Sequence, residues 1–162
     1  EFGKIEQLLS KNYALNYQES YFSNILEQAR DMLMLDKFEE KVSVDIRQDI
    51  LLRVDFGLFS LAIKNLIDNA LKYADDKKAQ VICDADGIVV RNLGQPLQNP
   101  IEYYMQAFIR EKGSKSSGMG LGLYIIDHIC RMHKFSLKYS YEDGFHSFKI
   151  CTNPKESVEK RA

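Results

Sequence analysis

The sequence predicts a two-layer sandwich of the α/β (α+β) class, in which helices cover one face of a mixed, mainly antiparallel sheet. Residues 56–74 place apolar side chains at helical spacing and give the strongest helix signal in the chain. The pairs Asp86-Gly87 and Asp143-Gly144 each separate two runs rich in β-forming residues, which predicts two hairpins. Because hairpins join antiparallel strands, the long helix is expected to pack on a largely antiparallel sheet.

The other elements follow from spacing and from turn-forming residues. Helical spacing in the N-terminal region is interrupted by a polar stretch near residues 16–20, so we expect two helices there. The full set is helices within 4–33, strands at 41–49 and 50–55, a helix at 56–74, a hairpin at 79–92, a short helix at 99–109, a polar connection at 110–117, a helix at 121–134 and a hairpin at 135–152.

The overall composition excludes several classes of function. The 162 residues suit one domain with a sizeable core, and 22 basic against 23 acidic residues give no general attraction to nucleic acid. No apolar run approaches the roughly 18 residues that a membrane-spanning helix needs. Cys83, Cys130 and Cys151 are far apart and form no CxxC pair, so a disulfide framework or a zinc site is not expected. The first two cysteines lie in apolar stretches and are expected to be buried thiols.

One face of the predicted long helix is polar. Asn65, Asp68, Asn69 and Lys72 lie together on a helical wheel, opposite the apolar side chains. Such a face is usually a solvated surface. However, asparagine is disfavoured inside helices, because its amide competes for backbone hydrogen bonds. An asparagine oxygen suits Mg²⁺ and a nearby lysine suits phosphate, so a magnesium–triphosphate site is the functional alternative.

A second candidate site is the glycine cluster Gly118, Gly120 and Gly122. It lacks the GxxxxGK[ST] pattern of a P-loop and the GxGxxG pattern of a dinucleotide fold. Its polar neighbours exclude a membrane helix-pairing seam. Converging N–H groups at a helix start can bind an anion, and Arg110 and Lys115 add positive charge nearby. The alternative is a plain flexible turn.

Four segments together resemble the conserved boxes of bacterial sensor histidine kinases. "NLIDNALKYA" resembles the N box, "VVRNLGQPL" the G1 box, "YMQAFIR" the F box and "GMGLGLYII" the G2 box. They occur in the family's order and cover roughly residues 60–130. The resemblance implies the Bergerat-type ATP-binding fold that this family shares with gyrase, Hsp90 and MutL.

The resemblance also implies roles for individual residues, with ATP and Mg²⁺ as cofactors. Asn69 would bind the metal and Asn65 would support it. Gly94 would let the backbone approach the adenine, and residues from about 95 to 117 would form a lid over ATP. The implied catalytic residues are Asn65, Lys72 and Arg110. The implied nucleotide contacts are Asn65, Asn69, Lys72, Tyr73, Asn92, Gly94, Phe108, Lys115, Gly118, Met119, Gly120, Leu121 and Gly122.

Three positions depart from the family pattern. Asn92 stands where the G1 box usually has an adenine-reading Asp, although its Oδ1 can still accept from the adenine amino group. Pro96 replaces the second G1 glycine and should stiffen that turn. Met105 stands where the F box usually has its first aromatic residue.

Asn65 also favours phosphoryl transfer over hydrolysis. ATP-hydrolysing relatives of this fold have a Glu at that position to activate water, and an amide cannot act as a general base. The family's acceptor is a histidine on an upstream helical hairpin, whereas the first histidine here is His128. We expect His128, His133 and His146 to be ordinary surface or boundary residues.

The resemblance therefore implies the catalytic part of a longer protein-histidine kinase. We expect residues 1–20 to be the stub of the acceptor hairpin, 21–152 the ATP-binding domain and 153–162 a frayed tail. The implied partners are the acceptor helices, a response regulator receiver domain and a second copy of the kinase. The implied location is the cytoplasmic side of a membrane-anchored sensor kinase. An anti-sigma-type serine kinase and a non-catalytic nucleotide-binding module stay open as alternatives.

Overall fold

The computed structural model describes residues 14–106 and 117–152, with the side chains of 117–121 left out. The described residues form seven strands and five helices. In order they are β1 (Tyr17–Tyr21), α1 (Phe22–Leu33), α2 (Phe38–Lys41), β2 (Val42–Ile46), β3 (Leu51–Asp55), α3 (Phe56–Tyr73), β4 (Ala79–Asp84), β5 (Gly87–Leu93), α4 (Ile101–Met105), α5 (Ser117–Met132), β6 (Ser136–Glu142) and β7 (Phe145–Cys151).

The main sheet has five strands in the order β2-β4-β5-β7-β6. Only β2 and β4 are parallel, and the other three pairings are antiparallel. Both predicted hairpins are present, and at the second turn Asp143 and Gly144 both have positive φ, as tight hairpin turns require. The predicted class, a mixed and mainly antiparallel sheet with helices on one face, is confirmed.

The core lies between this sheet and helices α1, α3 and α5. Alternate residues of the central strands face the helices, such as Ile88 and Val90 of β5 and Ile150 of β7. Cys83 and Cys130 are buried there as expected, and burial raises their thiol pKa values to about 11 and about 12. In the described segments, no helix has the length and apolar character needed to cross a membrane.

The N-terminal region differs from the prediction. Residues 17–21 form β1, which pairs antiparallel with β3 in a separate two-stranded ribbon. The expected boundary after residue 20 therefore cuts through a strand of the domain itself. The polar character of this stretch misled the prediction, because only Ser20 of the five residues is buried and the other four are exposed. The helix expected before it lies outside the described residues.

Helix α5 also differs, because it begins at Ser117 rather than near residue 121. Gly118, Gly120 and Gly122 therefore lie in its first two turns and not in a loop. Glycine is a poor helix former, so at least one of these positions should have a packing reason. The short helix α2 has no counterpart in the predicted elements.

Asp55 links three parts of the fold at the junction of β3 and α3. Its Oδ1 accepts from the Leu58 N–H at 3.1 Å and caps α3, and its Oδ2 accepts from the Asn16 N–H at 3.0 Å. Its own N–H donates to Nε2 of His133 at 3.0 Å. His133 follows the end of α5, and its Nδ1 donates to the Ile129 carbonyl at 2.8 Å.

The expectation that His133 is an ordinary surface or boundary residue is wrong. The ring is buried and packs against Tyr17, Phe59 and Phe135. Burial lowers the pKa of His133, and this effect outweighs the opposing influence of the Ile129 carbonyl and the Asp55 carboxylate. The folded state therefore holds this imidazole neutral, because Nε2 must accept the Asp55 N–H.

We expect the free energy of unfolding to fall as the pH is lowered from about 7.5 to about 5.5, through the unperturbed pKa of histidine near 6.5. The unfolded chain binds a proton at His133 more readily than the folded chain, so protonation favours unfolding. His133→Gln can still accept from Asp55 without titrating, and urea unfolding of this variant should depend less on pH. His128→Gln, at a half-exposed position on α5, should keep the wild-type dependence. An unchanged pH dependence in His133→Gln would contradict the assignment.

Candidate functional site

A cavity of about 400 Å³ opens between α3, the ends of β5 and β7, and the segment that leads into α4. This volume falls in the range of roughly 300–1,000 Å³ that is usual for small-molecule sites. Its walls combine flat aromatic and apolar side chains with a few polar groups, which suits a planar, polar-edged ligand. The lining residues include Leu66, Asn69, Ala70, Tyr73, Asn92, Gln95, Pro96, Ile101, Tyr104, Tyr139, His146 and Phe148.

Asn69 is the most unusual polar residue in the cavity wall. Its side chain is buried in the middle of α3, and its Nδ2 has no hydrogen-bond partner among the described residues. Gly122 of α5 lies directly opposite, where a Cβ would meet both amide atoms of Asn69 at 3.4 Å. An unpaired buried amide costs about 1–3 kcal/mol, so this arrangement favours a bound polar group. Gly122 thus keeps the space beside Asn69 free of a side chain.

Asn92 is a further polar residue of the cavity wall, and it lies on β5. It is buried, and its Nδ2 donates to the Leu93 carbonyl at 3.0 Å. This bond fixes which end of the amide is used, so Oδ1 is the atom that can accept a hydrogen bond from a ligand. Asn92 pairs across the sheet with His146 of β7.

His146 is held by two hydrogen bonds and is a wall of the cavity. Its Nε2–H donates to the Gln95 carbonyl at 2.7 Å, and its Nδ1 accepts from the Tyr139 hydroxyl at 2.6 Å. Burial, together with Tyr141 and Tyr104, raises the pKa of Tyr139 to about 12, so this hydroxyl stays a donor. A Cβ on Gly94 would come within 3.0 Å of the imidazole ring. Gly94 therefore allows close packing on His146, and its expected approach to a bound base stays a prediction.

The structure brings only some of the predicted residues together. Asn69, Tyr73 and Asn92 line the cavity, Gly122 faces Asn69, and Gly94 lies behind His146. Asn65 is half-buried and Lys72 is exposed, and neither is among the lining residues. Gly118, Met119, Gly120 and Leu121 are in the first turns of α5, and nothing is described of their side chains. Phe108, Arg110 and Lys115 lie outside the described residues.

The sequence interpretation missed the cavity role of His146 and treated it as an ordinary residue, which is wrong. The signal that could have found it is strand alternation. His146 is in phase with Phe148 and Ile150, both of which face the core, so its ring had to face inward as well. Tyr139 could have been found in the same way, since it pairs with Phe148 on the neighbouring strand.

Comparisons with known proteins agree with this architecture. Residues 54–156 match the family described as histidine kinase-, DNA gyrase B- and HSP90-like ATPases. The chain belongs to this family. The matched residues hold α3, the cavity and α5, so the cavity lies in the family's ATP-binding domain.

Individual proteins that are similar to this chain are histidine kinases. The chain is 35% identical to the sensor histidine kinase ArsS of Helicobacter pylori over 152 residues, which cover 93% of this chain and 35% of that protein. It therefore spans about a third of that relative's length. The histidine kinase AdeS of Acinetobacter baumannii has the same fold, with a TM-score of 0.68 at 17% identity over 94% of this chain and 75% of the other. The catalytic domain of histidine kinase ThkA gives a TM-score of 0.65 at 19% identity over 88% and 99%.

In this ATP-binding domain, Gly122→Ala should weaken ATP binding by roughly tenfold or more, which is about 1.4 kcal/mol. The added methyl would lie against both amide atoms of Asn69 and block access to them. The stability of the domain should stay equal or rise by up to about 1 kcal/mol, because alanine is the better helix former. Titration with ATP and urea unfolding measure the two effects separately.

Gly57→Ala is the matched control for this experiment. Gly57 lies in the first turn of α3, where an added Cβ has only Asp55 Oδ1 nearby, at 3.9 Å. This variant should be as stable as wild type and bind ATP equally well. If Gly122→Ala also binds ATP normally, the space opposite Asn69 does not serve the nucleotide.

Proposed function

We propose that this domain binds Mg-ATP in the cavity and transfers the γ-phosphoryl group to a histidine on a helical hairpin upstream in the full protein. The observation that carries the proposal is the buried Nδ2 of Asn69, which has no hydrogen-bond partner among the described residues, at the contact between α3 and α5. A phosphate oxygen would satisfy this donor, and a metal ion could bind the Oδ1 of the same amide.

Different groups of the protein suit the two ends of ATP, the adenine and the phosphates. Asn92 presents Oδ1 for the amino group of adenine, between aromatic and apolar walls. The first four N–H groups of α5 have no partner within the helix, which makes the start of this helix a candidate anion site. Asn69 faces Gly122 of the same helix, and its Oδ1 would hold Mg²⁺ while its Nδ2 would donate to a phosphate oxygen. The metal would neutralise the charge on the phosphates.

Transfer to a histidine is favoured over hydrolysis because α3 has an amide, Asn65, where a water-activating carboxylate would be needed. Phosphoryl transfer depends mainly on positioning and charge neutralisation, which this site supplies. The relative ArsS, which is 35% identical to this chain, is a sensor histidine kinase, and this supports histidine phosphorylation over the serine-kinase alternative.

None of the chain's own three histidines is arranged as an acceptor. His133 and His146 are buried with both ring nitrogens in hydrogen bonds, and His128 stacks on Tyr124 along α5. We therefore infer that the acceptor belongs to the upstream hairpin and that its phosphate passes to a response regulator. The full protein would then be a homodimeric, membrane-anchored sensor with this domain in the cytoplasm.

The metal role of Asn69 predicts a dependence on Mg²⁺. Asn69→Ala should reduce ATP affinity strongly when Mg²⁺ is present and much less when a chelator removes it, because the variant loses the metal ligand. Asn92→Ala should reduce ATP affinity by a similar factor under both conditions, since it acts at the base. Calorimetric titration of both variants measures this difference. If Asn69→Ala and Asn92→Ala respond alike to Mg²⁺, Asn69 is not the metal ligand.

Phosphoryl transfer predicts a specific labelling pattern with ATP radiolabelled at the γ-phosphate. The 162-residue chain should acquire no acid-labile label, whereas a chain extended upstream through the hairpin should acquire it. Replacing the hairpin histidine with Gln, or Asn69 with Ala, should abolish the label. Acid-labile label on His128 would contradict the proposal. Acid-stable label on a serine would instead favour the serine-kinase alternative.

A further inference from the structure

We infer that His146 is a positioning residue for nucleotide binding, which holds the backbone of Gly94 and Gln95 at the adenine end of the cavity. This inference rests on the proposed function of the site. It assigns to the last hairpin, β6–β7, a part in nucleotide binding that none of the four sequence boxes contains.

The imidazole bridges the sheet and the segment that follows β5. On the sheet side, the hydroxyl of Tyr139 donates to Nδ1, and the raised pKa of Tyr139 keeps this proton in place. This contact leaves the ring proton on Nε2, which donates to the Gln95 carbonyl. The direction of both hydrogen bonds is thereby fixed, and the ring cannot flip without losing them.

Two further hydrogen bonds tie the same segment to the hairpin. The Tyr141 hydroxyl donates to the Gly94 carbonyl at 2.9 Å, and the Gly94 N–H donates to the Gly144 carbonyl at 3.0 Å. The lack of a side chain at Gly94 lets the ring of His146 lie directly against this backbone. Three residues of one hairpin therefore hold the backbone of Gln95, which lines the cavity, and of Gly94 directly before it.

The position of Gly94 and Gln95 affects the groups that would bind the adenine base. Asn92 is the cross-strand neighbour of His146, and its amide is oriented by the carbonyl of Leu93, one residue before Gly94. A shift of Gly94 and Gln95 would therefore move both the carbonyl that orients Asn92 and the wall formed by Gln95 and Pro96. Holding them in place before the nucleotide arrives reduces the ordering cost of binding.

The experiment compares ATP binding and backbone exchange in wild type, His146→Ala, His146→Gln and Tyr141→Phe. His146→Ala should weaken ATP binding about tenfold, as expected for the loss of about one or two hydrogen bonds that order the site. Amide hydrogen exchange at Gly94 should become faster in the nucleotide-free protein. His146→Gln can still donate to the Gln95 carbonyl and should recover most of the affinity. Tyr141→Phe should show a smaller loss than His146→Ala.

The outcomes separate this inference from the proposed function. His128→Ala is the control histidine and should bind ATP like wild type. If wild type binds ATP but His146→Ala binds it equally well, the inference alone is overturned. If ATP affinity in His146→Ala and His146→Gln falls only in step with stability in urea, and amide exchange at Gly94 is unchanged, His146 is only structural. If His146→Ala does not fold, Tyr141→Phe, which loses a single hydroxyl, tests whether the hairpin's hydrogen bonds to Gly94 and Gln95 support ATP binding. If wild type binds no ATP, both the proposed function and this inference are wrong.

Discussion

Asp55 ends strand β3 and begins helix α3, and hydrogen bonds from three separate segments meet at it. One carboxylate oxygen caps α3, the other accepts from the chain as it enters β1, and the backbone N–H reaches His133 at the end of α5. Because Asp55 caps α3 and bonds to the residue that follows α5, this junction helps to set the relative position of the two helices. The contact between Asn69 and Gly122, several turns away, depends on that position.

The sequence was sufficient to predict the sheet class, both hairpins and the long helix, because each has a strong local signal. It also singled out Asn69 and Asn92, although it could not separate the buried Asn69 from the half-buried Asn65 and the exposed Lys72 on the same helical face. Which of these side chains is buried depends on where α5 packs, and a helical wheel contains no information about the neighbouring helix. Strand β1 was missed for a similar reason, since its polar residues form a strand only through pairing with β3.

The histidines also show that local sequence patterns do not reveal contacts between residues far apart in the sequence. His133 and His146 looked ordinary because no motif surrounds them, and their burial comes from partners far away in the sequence. The hydrogen bond from Asp55 to His133 spans 78 residues, and that from His146 to Gln95 spans 51. Local patterns identify residues that repeat at helical or strand spacing. They do not identify a single polar residue whose role is defined by one distant carbonyl or N–H group.

Two departures from the family pattern, Asn92 in β5 and Pro96 in the segment after it, can be understood together with His146. A glycine-rich turn could adjust its backbone to contact a base closely, because glycine allows many backbone conformations. Pro96 restricts the backbone of this turn, because its ring fixes φ. The hairpin then holds Gly94 and Gln95 through His146 and Tyr141. Asn92, which lacks the charge of the usual carboxylate, is oriented by the Leu93 carbonyl within this same segment. A neutral acceptor forms a weaker hydrogen bond than a charged one, so its contribution depends more on being correctly placed before the ligand binds. The hydrogen bonds that hold Gly94 and Gln95 and the loss of the carboxylate at Asn92 are therefore both compatible with the proposed adenine site.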